Sequence, residues 1–252
     1  MSEGARVLVV SCDWSGRSAP AELLGSREQA YAGGLTGPRR AEWVRTRLTA
    51  KAAVHWATGD RGAQILPEPD GAPRVWDTFS GAAVSLAHSR EFAVGAVTGG
   101  APAHPLGVDV EPVDARNDIL LPRLLGPDEP PCVGPSRAGP GSRREPLPPG
   151  FLATVLVACK EAALKAYRRP SPALRDYRLH RGPDGGLRVR AVDTPHGELR
   201  VWWSCRAGRV IAVCGTGRRS PEHRTVAADR VIAALVGDPD RTAARATSRN
   251  DR

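Results

Sequence analysis

Apolar residues recur at helical spacing in two long stretches of the chain. Residues 39–56, with Pro38 placed in the first turn, are predicted to form a helix. Its apolar face consists of Ala41, Val44, Leu48 and Ala52. A second helix is predicted over residues 151–168. Its apolar face consists of Leu152, Val155, Leu156, Cys159, Ala163 and Ala166. A shorter third helix, near residues 225–236, precedes a polar tail.

Short runs rich in β-branched and aromatic residues, bounded by turn residues, predict eight strands. The first part of the chain contains residues 6–11, 83–88, 92–98 and 106–110, the last three expected to be neighbouring strands. The second part contains residues 177–181, 187–192, 198–205 and 210–214, an expected antiparallel meander. Strands plus at least one long helix in each part predict an α+β fold with two similar-sized subdomains.

The composition changes between these two parts. Residues 126–150 are dominated by Pro, Gly, Ser and Arg, a composition that buries too little apolar area to offset its ordering entropy. We therefore predict a mobile connection there. The predicted organisation is an N-terminal half over residues 1–112, a connection over 113–150, a C-terminal half over 151–236 and a flexible tail over 237–252. The sequence contains no recognisable repeat between the halves.

The charge balance points to an anionic partner. The 252 residues include 36 basic and 27 acidic side chains, a net charge of +9. Only three of the basic residues are lysine: Lys51, Lys160 and Lys165. A basic nucleic-acid-binding protein is disfavoured, because the arginines are scattered and aromatic residues make up only 5% of the chain.

Several classes of site and location are also disfavoured. The longest apolar runs fall short of the roughly 20 residues that span a membrane, and the N-terminus lacks the pattern of a secretory signal, so a cytoplasmic protein is expected. The five cysteines form no Cys-x-x-Cys pair, which predicts reduced thiols rather than disulfides or a zinc site. The glycine-rich motifs of Rossmann and Walker nucleotide sites are absent.

Two acidic residues share one face of a predicted strand. In Gly107-Val-Asp109-Val-Glu111-Pro, Asp109 and Glu111 stand at i and i+2, so both project to the same side. Paired carboxylates can form half of a Mg²⁺ site that substrate phosphates complete. The alternative is that they line the polar face of a half-exposed strand.

The second predicted helix contains the hexapeptide Lys160-Glu161-Ala-Ala-Leu-Lys165. Glu161 and Lys165 lie together on the helix, roughly opposite the apolar face. An i to i+4 ion pair is the ordinary explanation. Two of the three lysines lie in this hexapeptide, however, and an ammonium group can donate a proton to a leaving group whereas guanidinium effectively cannot.

Further basic groups could contact phosphates. His88, in Ser85-Leu-Ala-His88-Ser89 at a strand end, could donate a hydrogen bond to a phosphate or be an ordinary hydrogen-bonded histidine. Around the first helix a basic surface is expected that is suited to phosphates or simply solvated. It consists of Arg39, Arg40, Arg45, Arg47 and Lys51.

In combination, Ser-x-x-His-Ser, Gly-Val-Asp-Val-Glu about 20 residues later and Lys-Glu-Ala-x-x-Lys about 50 further on resemble the Sfp-type 4′-phosphopantetheinyl transferases. The similarity spans roughly residues 39–214. It implies a pseudo-dimer of two α+β halves with the active site in the cleft between them. The activity it implies is Mg²⁺-dependent transfer of 4′-phosphopantetheine from coenzyme A to a serine of an acyl or peptidyl carrier protein, which releases 3′,5′-ADP and belongs to secondary metabolism.

The resemblance also assigns roles to individual residues. It implies that Asp109, Glu111 and Glu161 hold Mg²⁺ on the pyrophosphate of coenzyme A. Glu161 would in addition act as the base, directly or through water, and Lys165 would neutralise or protonate the departing nucleotide. The residues implied to contact the phosphates and the adenine nucleotide are Arg40, Arg47, Arg74 and His88. Glu129 matches an acidic position of the family, and the two-half architecture predicts a monomer.

Two sites depart from the family pattern. Val157-Ala158-Cys159 stands where the family usually has Trp-[Ser/Thr]-x, which removes an aromatic wall beside Glu161. Ala87 replaces a serine often found before the histidine. These departures keep an alternative open, in which the protein is a weakened or repurposed family member that binds coenzyme A or a carrier protein without transfer.

Overall fold

The structure is a computed structural model that describes residues 6–76, 81–99, 105–126, 129, 148–168, 173–192, 197–217 and 219–236. Within these ranges the strands are β1 (Val7–Asp13), β2 (Gln64–Pro67), β3 (Pro73–Trp76), β4 (Ala83–Ser89), β5 (Phe92–Thr98), β6 (Leu106–Pro112), β7 (Tyr177–Arg181), β8 (Leu187–Ala191), β9 (Leu199–Arg206), β10 (Arg209–Gly215) and β11 (Glu222–Ala227). The helices are α1 (Ser26–Gly33), α2 (Gly37–Thr58), α3 (Leu121–Leu124), α4 (Phe151–Tyr167) and α5 (Ala228–Val236). The α+β class predicted from the sequence is confirmed. Most of the predicted connection and the whole predicted tail lie outside the described residues.

The two main sheets share one connectivity. The first has the strand order β11-β1-β5-β4 and the second β6-β10-β9-β8-β7. In each half of the chain, a strand leads to the long helix, then to a hairpin, β2–β3 or β7–β8, and then to two antiparallel strands, the last of which pairs with the first strand. The hairpin β2–β3 forms a separate two-stranded sheet, whereas β7 and β8 belong to the second main sheet. The expected meander β7–β10 is confirmed.

Two segments lie in a different sheet from the one that their chain position suggests. The three strands expected to be neighbours are divided between two sheets: β4 and β5 pair with each other, whereas β6 pairs with β10 and lies against β4 without joining its sheet. Residues 225–236 were expected to be one helix, but β11 occupies 222–227 and only α5 is helical. The reason is tertiary: β11 pairs in parallel with β1 through six residues and extends the first sheet.

Each long helix covers one sheet, and the two sheets share an apolar layer. The helix α2 packs on β5, and α4 packs on β6 and β10. The layer between the sheets is formed by Val7, Val9, Ala87, Phe92, Val94, Ala96, Leu106, Val108, Val110, Ile211 and Val213. Among the described cysteines, Cys12, Cys159 and Cys214 are buried and Cys205 is exposed, all as free thiols. No helix in the described ranges is long and apolar enough to cross a membrane.

A hydrogen-bonded histidine joins β11 to β1. Arg206 donates to Nδ1 of His223 at 3.2 Å, so Nε2 carries the proton and donates to Ser11 Oγ at 3.0 Å. Burial, with a smaller contribution from Arg206, lowers the pKa of His223 to about 4. The neutral imidazole is therefore the form that this contact requires.

This lowered pKa predicts a loss of stability on mild acidification. Between pH 6.5 and about 4 the unfolded chain binds a proton at His223 that the folded chain does not, so unfolding becomes easier as the pH falls. After allowance for solvent at this partly exposed ring, the loss is on the order of 2 kcal/mol. Denaturant unfolding at pH 7.5 and pH 4.5 should show a larger pH effect in the wild type than in His223→Asn. An equal effect in both proteins would contradict the prediction.

Candidate active site

Gly107 brings the acidic strand and the lysine helix together. A Cβ at this position would lie 1.8 Å from the carbonyl oxygen of Ala162 and 2.7 Å from the amide nitrogen of Ala166. Only glycine therefore allows α4 to lie this close to β6. The close packing places Glu161 and Lys165 beside Asp109 and Glu111.

Lys165 and Asp109 form the central ion pair of the site. Lys165 Nζ donates to Asp109 Oδ1 at 2.7 Å and to the carbonyl oxygen of Val108 at 3.1 Å. Lys165 is partly exposed, whereas Asp109 is buried. The second carboxylate oxygen of Asp109, Oδ2, is buried without a hydrogen-bond partner among the described residues. A buried carboxylate oxygen in this state can accept a cation or a donor from a ligand.

Three carboxylates interact electrostatically around this pair. Burial raises the pKa of Glu111 to about 7, with further contributions from Asp109 and Glu161. The pKa of Glu161 is raised by burial and by Asp109, while Lys165 acts in the opposite direction. Asp109, Glu111 and Glu161 therefore lie close enough to interact electrostatically. Within the described chain, however, no group of three or more His, Cys, Asp or Glu side chains is arranged to hold a metal ion.

A cavity of about 1270 Å³ lies next to this cluster. Its wall comes from α2, the β2–β3 hairpin, β4 and the end of α4. Among the residues predicted from the sequence, His88, Arg47, Arg74 and Lys165 line the cavity. Arg40 is exposed and is not among the described lining residues, which include its neighbour Arg39 instead. The lining also contains three carboxylates, Glu42, Glu68 and Asp70, but its Arg and Lys side chains outnumber them, so the cavity is net basic.

The expected basic surface of α2 is smaller than the sequence indicated. Arg47 is 8% exposed, and its Nε donates to the carbonyl oxygen of Ile65 at 2.9 Å. Its guanidinium carbon lies 4.6 Å from the ring centroid of Trp43, and burial lowers the pKa of Arg47 to about 10. Trp43 also stacks on Tyr31, with the ring centroids 5.1 Å apart. Both aromatic residues line the cavity, but no sequence pattern indicates this, because each is an isolated aromatic in the sequence.

The strand that carries His88 also connects the two sheets. The amide of Val108 donates to Ser85 Oγ at 3.0 Å, so the first serine of the Ser-x-x-His motif fixes β6 against β4. His88 is exposed at the cavity. Ala87 is buried in the apolar layer between the sheets. A serine at this position would therefore have its hydroxyl in that layer.

Lys160 does not share the position of Lys165. It is fully buried, and its Nζ donates to Glu129 Oε2 at 2.7 Å and to the carbonyl oxygen of Leu124 at 2.6 Å. Lys51 is buried in the same way, with 2.8 Å to Glu28 Oε2 and 2.5 Å to the carbonyl oxygen of Ala63. Of the three lysines in the chain, two therefore form buried ion pairs, and only Lys165 lines the cavity.

Val157, at the departure from the family pattern, is half-buried and packs against the apolar core of the second sheet. It therefore contributes to packing on the side of α4 where an aromatic residue was expected.

The comparisons with known proteins give little further information. No family model matches the sequence. No curated protein matches it either. One similar solved structure is a holo-(acyl-carrier-protein) synthase from Bacillus anthracis str. Ames in complex with CoA (3′,5′-ADP). It is 24% identical, the match covers 39% of this chain and 96% of that chain, and the TM-score is 0.32. A match at this level does not establish family membership.

Proposed function

We propose that the protein transfers 4′-phosphopantetheine from coenzyme A to a serine hydroxyl of an acyl or peptidyl carrier protein and releases 3′,5′-ADP. The observation that carries the proposal is the Asp109 carboxylate. Lys165 holds one of its oxygens, the other is buried without a partner in the described chain, and Lys165 also lines the large basic cavity. This juxtaposition, together with the motif resemblance, suits a phosphate-rich substrate next to a cation and a base.

The donor types suit Mg²⁺, although the three carboxylates are not arranged around one point in the described structure. Asp109, Glu111 and Glu161 would hold the ion, since Mg²⁺ prefers a few carboxylate oxygens and completes its coordination with water and phosphate. The unpartnered Oδ2 of Asp109 supports this assignment. When bound, Mg²⁺ would neutralise charge on the pyrophosphate.

Glu161 and Lys165 are proposed as the groups that move or stabilise protons and charge. Glu161 accepts the proton of the attacking serine, directly or through a water molecule, and burial raises its pKa, which makes it a stronger base. The serine oxygen forms a bond to the β-phosphorus as the bond between that phosphorus and the 3′,5′-ADP oxygen breaks. The ammonium of Lys165 neutralises or protonates the departing oxygen.

The basic cavity is proposed as the coenzyme A site. His88, Arg47 and Arg74 line it and could contact phosphates. The role proposed for Arg40 rests on the motif resemblance, since Arg40 is exposed and is not among the described lining residues. A guanidinium can bind a phosphate through two hydrogen bonds, which suits this role.

We further propose a pseudo-dimeric architecture in which each half corresponds to one repeat of the shared connectivity. Two buried ion pairs support it, because they occupy matching positions. Glu28 accepts from Lys51, from the amide of Gly25 three residues earlier and from the amide of Ile65 in β2. Glu129 has the same three kinds of donor.

In the second half these donors are Lys160, the amide of Gly126 three residues earlier, and the amide of Leu179 in β7. Both sides of the cleft would then come from one chain, which favours a monomer. The proposed halves, residues 1–112 and 151–236, divide the chain in sequence order. The sheets divide it differently, because β6 is hydrogen-bonded into the second sheet and β11 into the first.

The proposal predicts a specific change in mass. Incubation of the protein with coenzyme A, Mg²⁺ and a panel of apo carrier proteins should add one phosphopantetheine group to at least one carrier, as measured by intact-protein mass spectrometry. Asp109→Asn should abolish the addition. No addition on any carrier would contradict transfer, and binding of coenzyme A without addition would favour the alternative of a repurposed binding protein.

A further inference from the structure

Arg168 ends α4 in a backbone conformation that arginine rarely adopts. Its φ of 53° and ψ of 40° lie in the left-handed region, which favours glycine because a Cβ is disfavoured there. Its amide donates to the carbonyl oxygen of Leu164 at 3.0 Å and so completes an ordinary left-handed helix end. Glycine would serve this main-chain geometry better, so the role of Arg168 lies in its side chain.

The guanidinium of Arg168 contacts two carboxylates of the β2–β3 hairpin. Its Nε and Nη2 each donate to Asp70 at 3.1 Å, and Nη2 also donates to Glu68. The hairpin belongs to the first half of the molecule and α4 to the second. All three side chains belong to residues that line the cavity. Arg168 therefore connects the two walls of the cavity.

The tip of the hairpin is a tight turn, so these contacts fix its position as a unit. The amide of Glu68 donates to the carbonyl oxygen of Ala72 at 2.8 Å, and the amide of Gly71 donates to the carbonyl oxygen of Glu68 at 2.8 Å. The amide of Ala72 also donates to Asp70 Oδ1 at 3.0 Å. At the base of the hairpin, Arg47 and Glu28 bind the two main-chain polar groups of Ile65.

Glu68 links the contact with Arg168 to a residue of the proposed coenzyme A site. Its Oε1 accepts from Arg74 Nη1 at 3.3 Å. The guanidinium carbon of Arg74 in turn lies 4.7 Å from the ring centroid of Trp76. One carboxylate is thus shared between Arg168 and Arg74, and its position helps to set the position of Arg74.

We propose that Arg168 is a positioning residue for ligand binding. It clasps the tip of the β2–β3 hairpin and, through Glu68, holds Arg74 where it can contact the phosphates of a 3′-phosphorylated adenosine nucleotide. The identity of that ligand rests on the proposed function, but the clasp itself does not. Exposed ion pairs contribute little to folding stability. The proposed effect of this contact is therefore on the position of the hairpin and not on the stability of the fold.

The variant Arg168→Gly removes the side chain without straining the backbone, because glycine suits the left-handed conformation. We expect the Kd for 3′,5′-ADP, measured by calorimetry, to rise about fivefold or more, a coupling typical of contacting residues. The melting temperature should stay unchanged or rise. The Kd of Arg168→Lys should lie between those of the wild type and Arg168→Gly, because lysine keeps the charge but lacks the planar guanidinium. A wild-type Kd in Arg168→Gly would overturn the proposal.

A double-mutant cycle tests whether Arg168 acts through Arg74. In an Arg74→Ala background, Arg168→Gly should change the Kd by less than about twofold, because the residue that it positions is gone. The full fivefold loss in that background would overturn the proposed route through Arg74.

Hydrogen exchange without any ligand tests the clasp independently of the proposed function. In Arg168→Gly the amides of Glu68 and Gly71 should exchange faster than in the wild type, while core amides of β5 should be unchanged. Equal exchange at the hairpin would overturn the clasp. If the wild type binds no 3′,5′-ADP, the proposed function fails, and this experiment still decides whether Arg168 holds the hairpin.

Discussion

Replacing Lys160 with methionine should destabilise the protein by about 3–5 kcal/mol, because it leaves Glu129 as a buried charge without its partner. Glu129 is 8% exposed and is held by two main-chain amides besides Lys160, so it cannot reach solvent without breaking the structure around it. Urea unfolding of wild type and Lys160→Met measures the effect directly. Equal unfolding midpoints would contradict a structural role for this ion pair.

Two further variants identify the cause of that loss. Replacing both members of the pair, in Lys160→Met/Glu129→Leu, should recover much of the stability, since apolar residues of similar volume can replace a buried ion pair with little or no loss. The matched control is Arg230→Met. Arg230 is an exposed basic residue of α5. This variant should unfold nearly as the wild type does.

Replacing Glu161 with glutamine should lower the rate of phosphopantetheine transfer by about 10²- to 10⁴-fold, the contribution typical of a general base. Glutamine has nearly the same shape but cannot accept the proton of the serine. Glu161 is half-buried near Asp109 and carries a raised pKa, so removal of its charge should not weaken folding. The rate is measured with saturating coenzyme A and carrier protein by the mass increment over time.

The matched control for this variant is Glu22→Gln. Glu22 is an exposed acidic residue in the 3-10 helix Ala21–Leu23. It should leave both the transfer rate and the unfolding midpoint unchanged. A wild-type rate in Glu161→Gln would contradict the assignment of Glu161 as the base. A parallel fall in stability would indicate a structural role instead.

The strongest sequence patterns located the main elements well. The helix predicted over residues 151–168 is α4, and the strands predicted at 177–181 and 92–98 coincide with β7 and β5. Periodicity and turn residues report on local conformation, which is why these elements were accessible. The short helix α1 and the β2–β3 hairpin were missed, because their residues carry little hydrophobic patterning.

The motifs predicted which residues lie together in the candidate site, but not which side chains form ion pairs with each other. The i, i+2 spacing placed Asp109 and Glu111 on one face of a strand, and the structure brings Glu161 and Lys165 beside them. An ion pair between Glu161 and Lys165 was the ordinary expectation, yet Lys165 pairs with Asp109 across two elements. Which groups meet across elements depends on how close the helix lies to the strand, and here Gly107 sets that distance.

The sequence by itself determined the local conformation of the strongly patterned helices and strands and the residue types of the site, because periodicity and motif spacing act over a few residues. The tertiary structure alone decided which lysines are buried, which sheet β6 and β11 belong to, and how Arg168 meets Glu68 and Asp70 about a hundred positions away in the chain. These outcomes depend on long-range packing of helices on sheets. In the folded structure, contacts between residues far apart in the chain depend on both sheets and on the apolar layer between them.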